Sequence, residues 1–375
     1  MIADIVIIGA GIAGASLAYE LAGRRRVVLL EREGMPGYHT TGRSAATFTE
    51  SYGEAPVRLL ATASRDFFTA PPAGFSEHPL LAARGLLFPA REDQLPALEA
   101  MLAEQSPTVV ERIDGREARE MVPILRRDQV AAAVRVRGAS DIDVHALHQG
   151  FLSRLKARDG RIMVDAEVTA IDRDGDAWRV TTRAGAVEAP IVVDAAGAWA
   201  DDIARLAGVA PVGLVPKRRT AMIVDAPEGI DASAWPLVID IDEQFYFKPE
   251  AGRLLASPAD ETPMAPCDVR PDEYDIAVCV DRLERATTLR VRRIERSWAG
   301  LRSFVDDHLP VVGFEPVARG FFWLAGQGGI GIMTAPAMAR LAAALVLGDA
   351  VPADIRALGV DPAMLAPERF RRPTS

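Results

Sequence analysis

Ile5-Val6-Ile7-Ile8-Gly9-Ala10-Gly11-Ile12-Ala13-Gly14 decides the reading of this chain. A continuous apolar run that ends in glycine suits a strand buried on both faces of a parallel sheet. Ile12 to Ala22 carries Ala13, Leu17 and Leu21 on one face and predicts a helix that Gly23 ends. Val27 to Leu30 predicts the second strand of a βαβ unit, and Glu31 closes it. The glycines form GxGxxG in the context that gives the motif meaning. Gly9 makes the tight turn, Gly11 admits the backbone to a pyrophosphate, and Gly14 lets helix and strand pack closely. The helix N-terminus offers N–H donors and a positive dipole end to phosphate. Glu31 suits the ribose hydroxyls and disfavours a 2′-phosphate. The stretch predicts a dinucleotide site and leaves FAD and NAD both open.

Outward from this unit, Ile191 to Gly197 predicts another buried strand, with a short helix from Asp201 to Leu206. Phe321 to Ala325 predicts a further strand, then a glycine-rich turn and a helix from Thr334 to Leu347. Ile162-Met163-Val164 and Trp178 to Thr181 read as strands of a meander. Alternating patterns such as Phe245-Tyr246-Phe247-Lys248 predict an antiparallel sheet. The expected fold class is α/β, a Rossmann-type domain with an inserted antiparallel-sheet, α+β substrate part. Residues 1–80, 141–215 and 306–375 form the first domain, and 81–140 and 216–305 the second. Arg369 to Ser375 reads as a frayed basic tail.

Composition narrows the function. The 375 residues carry a net charge of −9, which speaks against a nucleic-acid partner. Cys267 and Cys279 lie in no metal-ligand spacing, so no metal is expected. No apolar run reaches the roughly twenty residues that span a bilayer. With no basic n-region at the N-terminus, a cytoplasmic location is expected, free or peripheral to the inner membrane.

Past the second strand, Gly37-Tyr38-His39-Thr40-Thr41-Gly42-Arg43-Ser44-Ala45-Ala46 resembles the flavin-contacting segment of the FAD-dependent amine and amino-acid oxidoreductases, the family of D-amino-acid oxidase, glycine oxidase and sarcosine oxidase. Further matches are Ser140 to Asp143, Asp194 to Trp199, Pro216 to Arg219, Phe245-Tyr246, Trp298 to Phe304 and Gln327 to Gly329. The resemblance covers nearly the whole chain, and within the family it points to bacterial D-arginine dehydrogenase. It implies a noncovalent FAD. The stretch of Thr41, Gly42, Arg43, Ser44, Ala45 and Ala46 would follow the ring and ribityl chain. Ile12, Ala13, Arg32, Val168 and Gly197 would meet the adenine and pyrophosphate side. Gly328, Gly329, Gly331 and Ile332 would lie near the ring, with the following helix aimed at it.

The resemblance also implies the substrate site. Arg219 and Arg302 would hold an α-carboxylate, the fork geometry of guanidinium suiting that task. Tyr52, Tyr246, Thr49 and Gly329 complete the pocket. Leu86 stands where D-arginine dehydrogenase has a glutamate for the substrate guanidinium, and Thr47 where it has a histidine. A buried cation without a partner is costly, so neutral D-amino acids are expected over D-arginine. The implied reaction passes hydride from Cα to flavin N5; the imino acid then hydrolyses to a 2-oxo acid and ammonia. The electron acceptor is open, a quinone or another carrier. The alternatives are an oxygen-using oxidase acting on glycine, a secondary amine or a 2-hydroxy acid; an NAD dehydrogenase; and a non-catalytic relative.

Overall fold

The computed structural model describes residues 1–106 and 108–371. The run Ile5–Ile8 is the centre of a six-stranded sheet. In order, its strands are Val311–Phe314, Phe321–Ala325, Ile191–Asp194, Ile5–Ile8, Val27–Leu30 and Arg161–Met163. All neighbours are parallel except the first pair. Strand alternation splits the central run between two cores. Ile5 and Ile7 face the helices, and Val6 and Ile8 face the meander Val168–Asp174, Ala177–Thr182 and Gly185–Ala189. The helices on the first face are Ile12–Leu21, Ala55–Thr69, Val144–Ala157 and Gly331–Leu347.

A second, nine-stranded sheet is built mainly from residues 86–136 and 215–304. Its longest pairing joins Val215–Val224 to Ile294–Phe304 antiparallel, with Lys217 opposite Arg302 and Arg219 opposite Gly300. The sheet is not purely antiparallel, since Leu237–Ile239 runs parallel to Leu86–Ala90. A three-stranded patch of Thr47–Phe48, Ser140–Ile142 and Leu81–Ala83 lies in the chain crossings between the two large sheets.

Three expectations are corrected. Ile162 and Met163 belong to the edge of the six-stranded sheet, parallel to Val27–Leu30, and not to the meander. The C-terminal helix begins at Gly331, three residues before Thr334, because Ile330 and not Thr334 occupies the N-cap. Arg369 and Arg371 are anchored, not frayed. Arg369 binds Asp307 and the carbonyls of Leu309 and Pro310, and Arg371 binds the fully buried Glu315. Residues 372–375 lie outside the described residues. No helix among the described residues is long and apolar enough to cross a membrane.

Candidate active site

The cleft at the C-terminal ends of the parallel strands has a volume of about 500 Å3. Ligands of open α/β sheets bind in this position. Gly9, Gly11, Ile12, Ala13, Glu31 and Arg32 line one end with Val168 and Gly197. Gly9 has φ of +101°, and a Cβ there would collide with the Ala195 carbonyl. A Cβ on Gly14 would collide with the Gly9 carbonyl, so Gly14 serves packing and does not line the cleft. Glu31 is 7 % exposed. It accepts the Ala10 N–H at 3.2 Å and the Glu33 N–H at 3.0 Å. Burial pushes its carboxyl up, against those two donors. The Thr41 Oγ1 accepts the Ile12 N–H at 3.0 Å, taking one donor of the first helical turn. His148 donates from Nε2 to the Ala10 carbonyl at 2.9 Å and so steadies the glycine loop. His39 meets Glu33 at 2.9 Å and packs on Trp199. Arg32 also lies over the Trp199 ring, with its guanidinium carbon 4.8 Å from the ring centroid.

Thr41 and Ser44 continue the lining, and Gly328, Gly329, Gly331 and Ile332 close the far end with Arg302. The helix Gly331–Leu347 has no side-chain cap, so its first-turn donors and dipole point at this end. Arg43 does not face the cleft. Its guanidinium turns to Asp268 and to the carbonyls of Val269 and Ala299, because that carboxylate and those two oxygens satisfy it better than an apolar wall would. Gly42 also stays out of the lining and packs against the Gly37 carbonyl. The cleft fits an FAD: a carboxylate for ribose, a glycine cradle that side chains would fill, and an open helix end.

A smaller cavity of about 90 Å3 adjoins this end. Ala45, Ala46, Thr47, Thr49, Tyr52, Leu86, Arg219, Tyr246, Arg302 and Gly329 all line it. The cross-strand register explains the cations. Lys217 and Arg219 share one face of their strand, and Arg302 stands opposite Lys217 on the same face. Arg218, on the other face, binds Asp275 at 2.7 Å. Arg302 lines both cavities, together with Ser44, Gly329 and Ile332. A Cβ on Gly329 would lie 2.7 Å from its Nη1. Burial works against the Arg302 charge, yet Tyr246, Tyr52, Glu243 and Glu261 together raise its pKa. Burial and the adjacent Arg302 lower that of Arg219. Burial and Glu243 push the Tyr52 hydroxyl up. The Thr47 Oγ1 is buried without a hydrogen-bond partner.

Two acids that the sequence did not single out also belong here. Glu243 lines the cavity from the loop after Leu237–Ile239, and the Tyr52 hydroxyl donates to it at 3.4 Å. It has φ of +54°, a conformation no hydrophobic pattern announces. Glu261 binds Arg219 at 2.8 Å and Lys217 at 3.0 Å.

Comparison with known proteins sharpens the picture. A family model described as FAD dependent oxidoreductase matches residues 4–345. The glycine oxidase of Geobacillus kaustophilus (strain HTA426) is 27 % identical over 362 residues, covering 92 % of each chain. The mitochondrial sarcosine dehydrogenase of Mus musculus is 25 % identical over 357 residues, which is 88 % of this chain. This chain spans only 38 % of the length of that relative. The crystal structure of glycine oxidase from Geobacillus kaustophilus superposes over all of both chains with a TM-score of 0.85 at 24 % identity. The expected nearness to D-arginine dehydrogenase is thereby corrected, since the relatives brought out are named glycine oxidase and sarcosine dehydrogenase.

Proposed function

We propose, from the premise that the chain belongs to the FAD dependent oxidoreductase family, that it oxidises the C–N bond of a small neutral α-amino acid, of D configuration where the carbon is chiral. The carrying observation is Arg219 and Arg302 together in a cavity of about 90 Å3 beside the cofactor cleft. Arg219 is paired with Glu261, which leaves the Arg302 guanidinium open, and so small a space suits a carboxylate with little attached to it. When bound, FAD supplies the two-electron acceptor for the oxidation.

The protein's part is orientation. Arg302 reaches both cavities and holds the carboxylate at their junction. Tyr52 and Tyr246 border the same space; the Tyr246 hydroxyl completes the hydrogen bonding of the bound carboxylate, and that of Tyr52 does so by turning from Glu243. Leu86 and the tyrosine rings exclude water. The first turn of the helix Gly331–Leu347 places positive potential at the junction, which would favour negative charge on a flavin held there. Residues 81–140 and 216–305 are proposed as the substrate part, and the remaining segments as the cofactor part.

Selection against D-arginine and D-lysine rests here on length more than on a missing acid, because Glu243 brings a carboxylate to the cavity by another route. A second reading, a secondary amine such as N-methylglycine, is favoured by the same small volume and by the names of the relatives. The test is anaerobic reduction of bound flavin by glycine, N-methylglycine, D-alanine, L-alanine, D-leucine and D-arginine. Glycine, N-methylglycine or D-alanine should bleach the flavin fastest. A lead for L-alanine or D-arginine would overturn the proposal. Peroxide formation in air, against reduction of an artificial dye, separates oxidase from dehydrogenase.

A further inference from the structure

The face that carries Lys217, Arg219 and Arg302 has three cations, and one acid answers two of them. Glu261 places Oε1 2.8 Å from Arg219 Nη2 and Oε2 3.0 Å from Lys217 Nζ. The acid is held there by its chain. Next to it, Asp260 accepts the Thr220 N–H at 2.6 Å and the Thr220 hydroxyl at 3.0 Å, and the Asp260 carbonyl accepts Arg219 Nε at 2.9 Å. Ala259, before them, has φ of +54°, which turns the segment inward against the sheet. Arg302 differs. Among the described residues no carboxylate lies within 4.0 Å of it. One guanidinium of the small cavity is therefore already in a direct ion pair, and the other feels Glu243 and Glu261 only at longer range.

We propose that Glu261 is a specificity-determining residue: a tethered carboxylate that fills the Arg219 position and limits the site to ligands with one carboxylate. A substrate anion then meets Arg302 alone as an unpaired cation. A second carboxylate on the ligand must displace Glu261 from Arg219 or approach it against repulsion. Removing the negative charge of Glu261 opens a second anion position and widens the ligand class to small dicarboxylates. The inference rests on the small cavity being the substrate site.

Two small non-oxidisable probes test it, so the result stands apart from whether any amine is turned over. Acetate and malonate are titrated into the FAD-loaded protein, and binding is read from the flavin absorbance change. The wild type should bind malonate no more tightly than acetate. Glu261→Gln keeps an acceptor for Lys217 while removing the charge. It should bind malonate about tenfold tighter or better than wild type, the scale of one charge-assisted hydrogen bond. Acetate should change less than about threefold. Adding Arg219→Met to Glu261→Gln should abolish the gain. Unchanged or weaker malonate binding in Glu261→Gln, with flavin content and melting temperature intact, overturns the proposal. So does a gain that survives without Arg219. If Glu261→Gln loses flavin, Glu261→Asp provides the second variant: a retained but shorter acid should leave malonate at the wild-type level, and a gain there would also overturn it.

Discussion

Arg302 is the charged side chain that lines both cavities. Arg302→Met should lower kcat/KM about 10- to 100-fold, the worth of a lost charge-assisted hydrogen bond. The flavin spectrum should persist, and Arg302→Lys should recover only part of the loss. Loss of flavin together with activity would assign Arg302 to cofactor retention instead. Asp194 makes a different kind of prediction. It ends the strand Ile191–Asp194, its Oδ1 accepts the Ala196 N–H, and its buried Oδ2 has no partner. Burial raises its pKa well above the carboxyl range, with Asp201 and Asp202 adding repulsion. The folded state therefore holds a proton that the unfolded chain releases. Its stability declines as pH rises from the ordinary carboxyl range toward the raised value. Asp194→Asn should melt higher than wild type near neutral pH, and the gap should close toward pH of about 4. A gap independent of pH would refute this. At this scale the sequence displayed Gly9, Gly11 and Glu31, because each sits beside a strand or turn with a clear pattern, whereas Arg219 and Arg302 stood out only through the family resemblance of their flanks. Glu243 and Glu261 were hidden, since loops bring them in and their long-range partners leave no local trace. Arg43 misled because a guanidinium three bonds out can turn from cavity to carboxylate without changing its neighbours in sequence.

Among the elements, the helix Gly331–Leu347 carries the largest local conflict. Pro336 sits inside it and cannot donate to the Ile332 carbonyl. Ser64, fully buried on the helix Ala55–Thr69, meets the neighbouring Ala337 N–H beside this break. Its hydroxyl accepts the Ala337 N–H at 3.1 Å and lies 3.3 Å from the Thr334 carbonyl. Ser64→Ala should destabilise the protein by about 1–3 kcal/mol, the cost of a buried polar group left unmet. Chemical denaturation measures this, and a change below about 0.5 kcal/mol would show that the helix carries its own break. The start of this helix was misread because Thr334 has the chemistry of a cap, whereas the real first turn is Gly331 to Thr334. That turn looks featureless in sequence because it leaves its donors open toward the cavities. The strand Arg161–Met163 was misplaced for a related reason. A three-residue apolar run looks alike at a parallel edge and in a meander, and its nearest strong patterns in sequence were those of the meander.

Across the whole molecule, one buried acid ties the C-terminal segment to the cofactor part. Glu315 is held by Arg371 and by the Trp323 indole N–H at 3.1 Å. Arg371→Ala should cost about 3 kcal/mol, the low end for breaking a buried pair because Arg371 is 20 % exposed. Adding Glu315→Gln should return part of the loss in thermal unfolding, and no recovery would place the effect elsewhere. The Rossmann-type fold was legible as a whole because its signal repeats in each buried strand ending in glycine. The nine-stranded sheet was legible only as a tendency to alternate, since the parallel pairing of Leu237–Ile239 with Leu86–Ala90 depends on segments some 150 residues apart.

The cofactor cleft draws its walls from residues 8–44, 166–206 and 301–332. At about 5–20 residues per second, a ribosome needs roughly 15–60 s to travel from the first of these to the last. For that interval the fingerprint is out in the cell with its parallel neighbour Ile191–Asp194 unmade for much of the time and its dinucleotide grip one-sided. A nascent Ile5–Ile8 is then an unpaired apolar edge. The last wall of the cleft exists only once the start of the helix Gly331–Leu347 has been made, so slowing translation, or lowering chaperone supply, should lower the fraction of yellow protein recovered from cells without changing the flavin affinity of the purified protein.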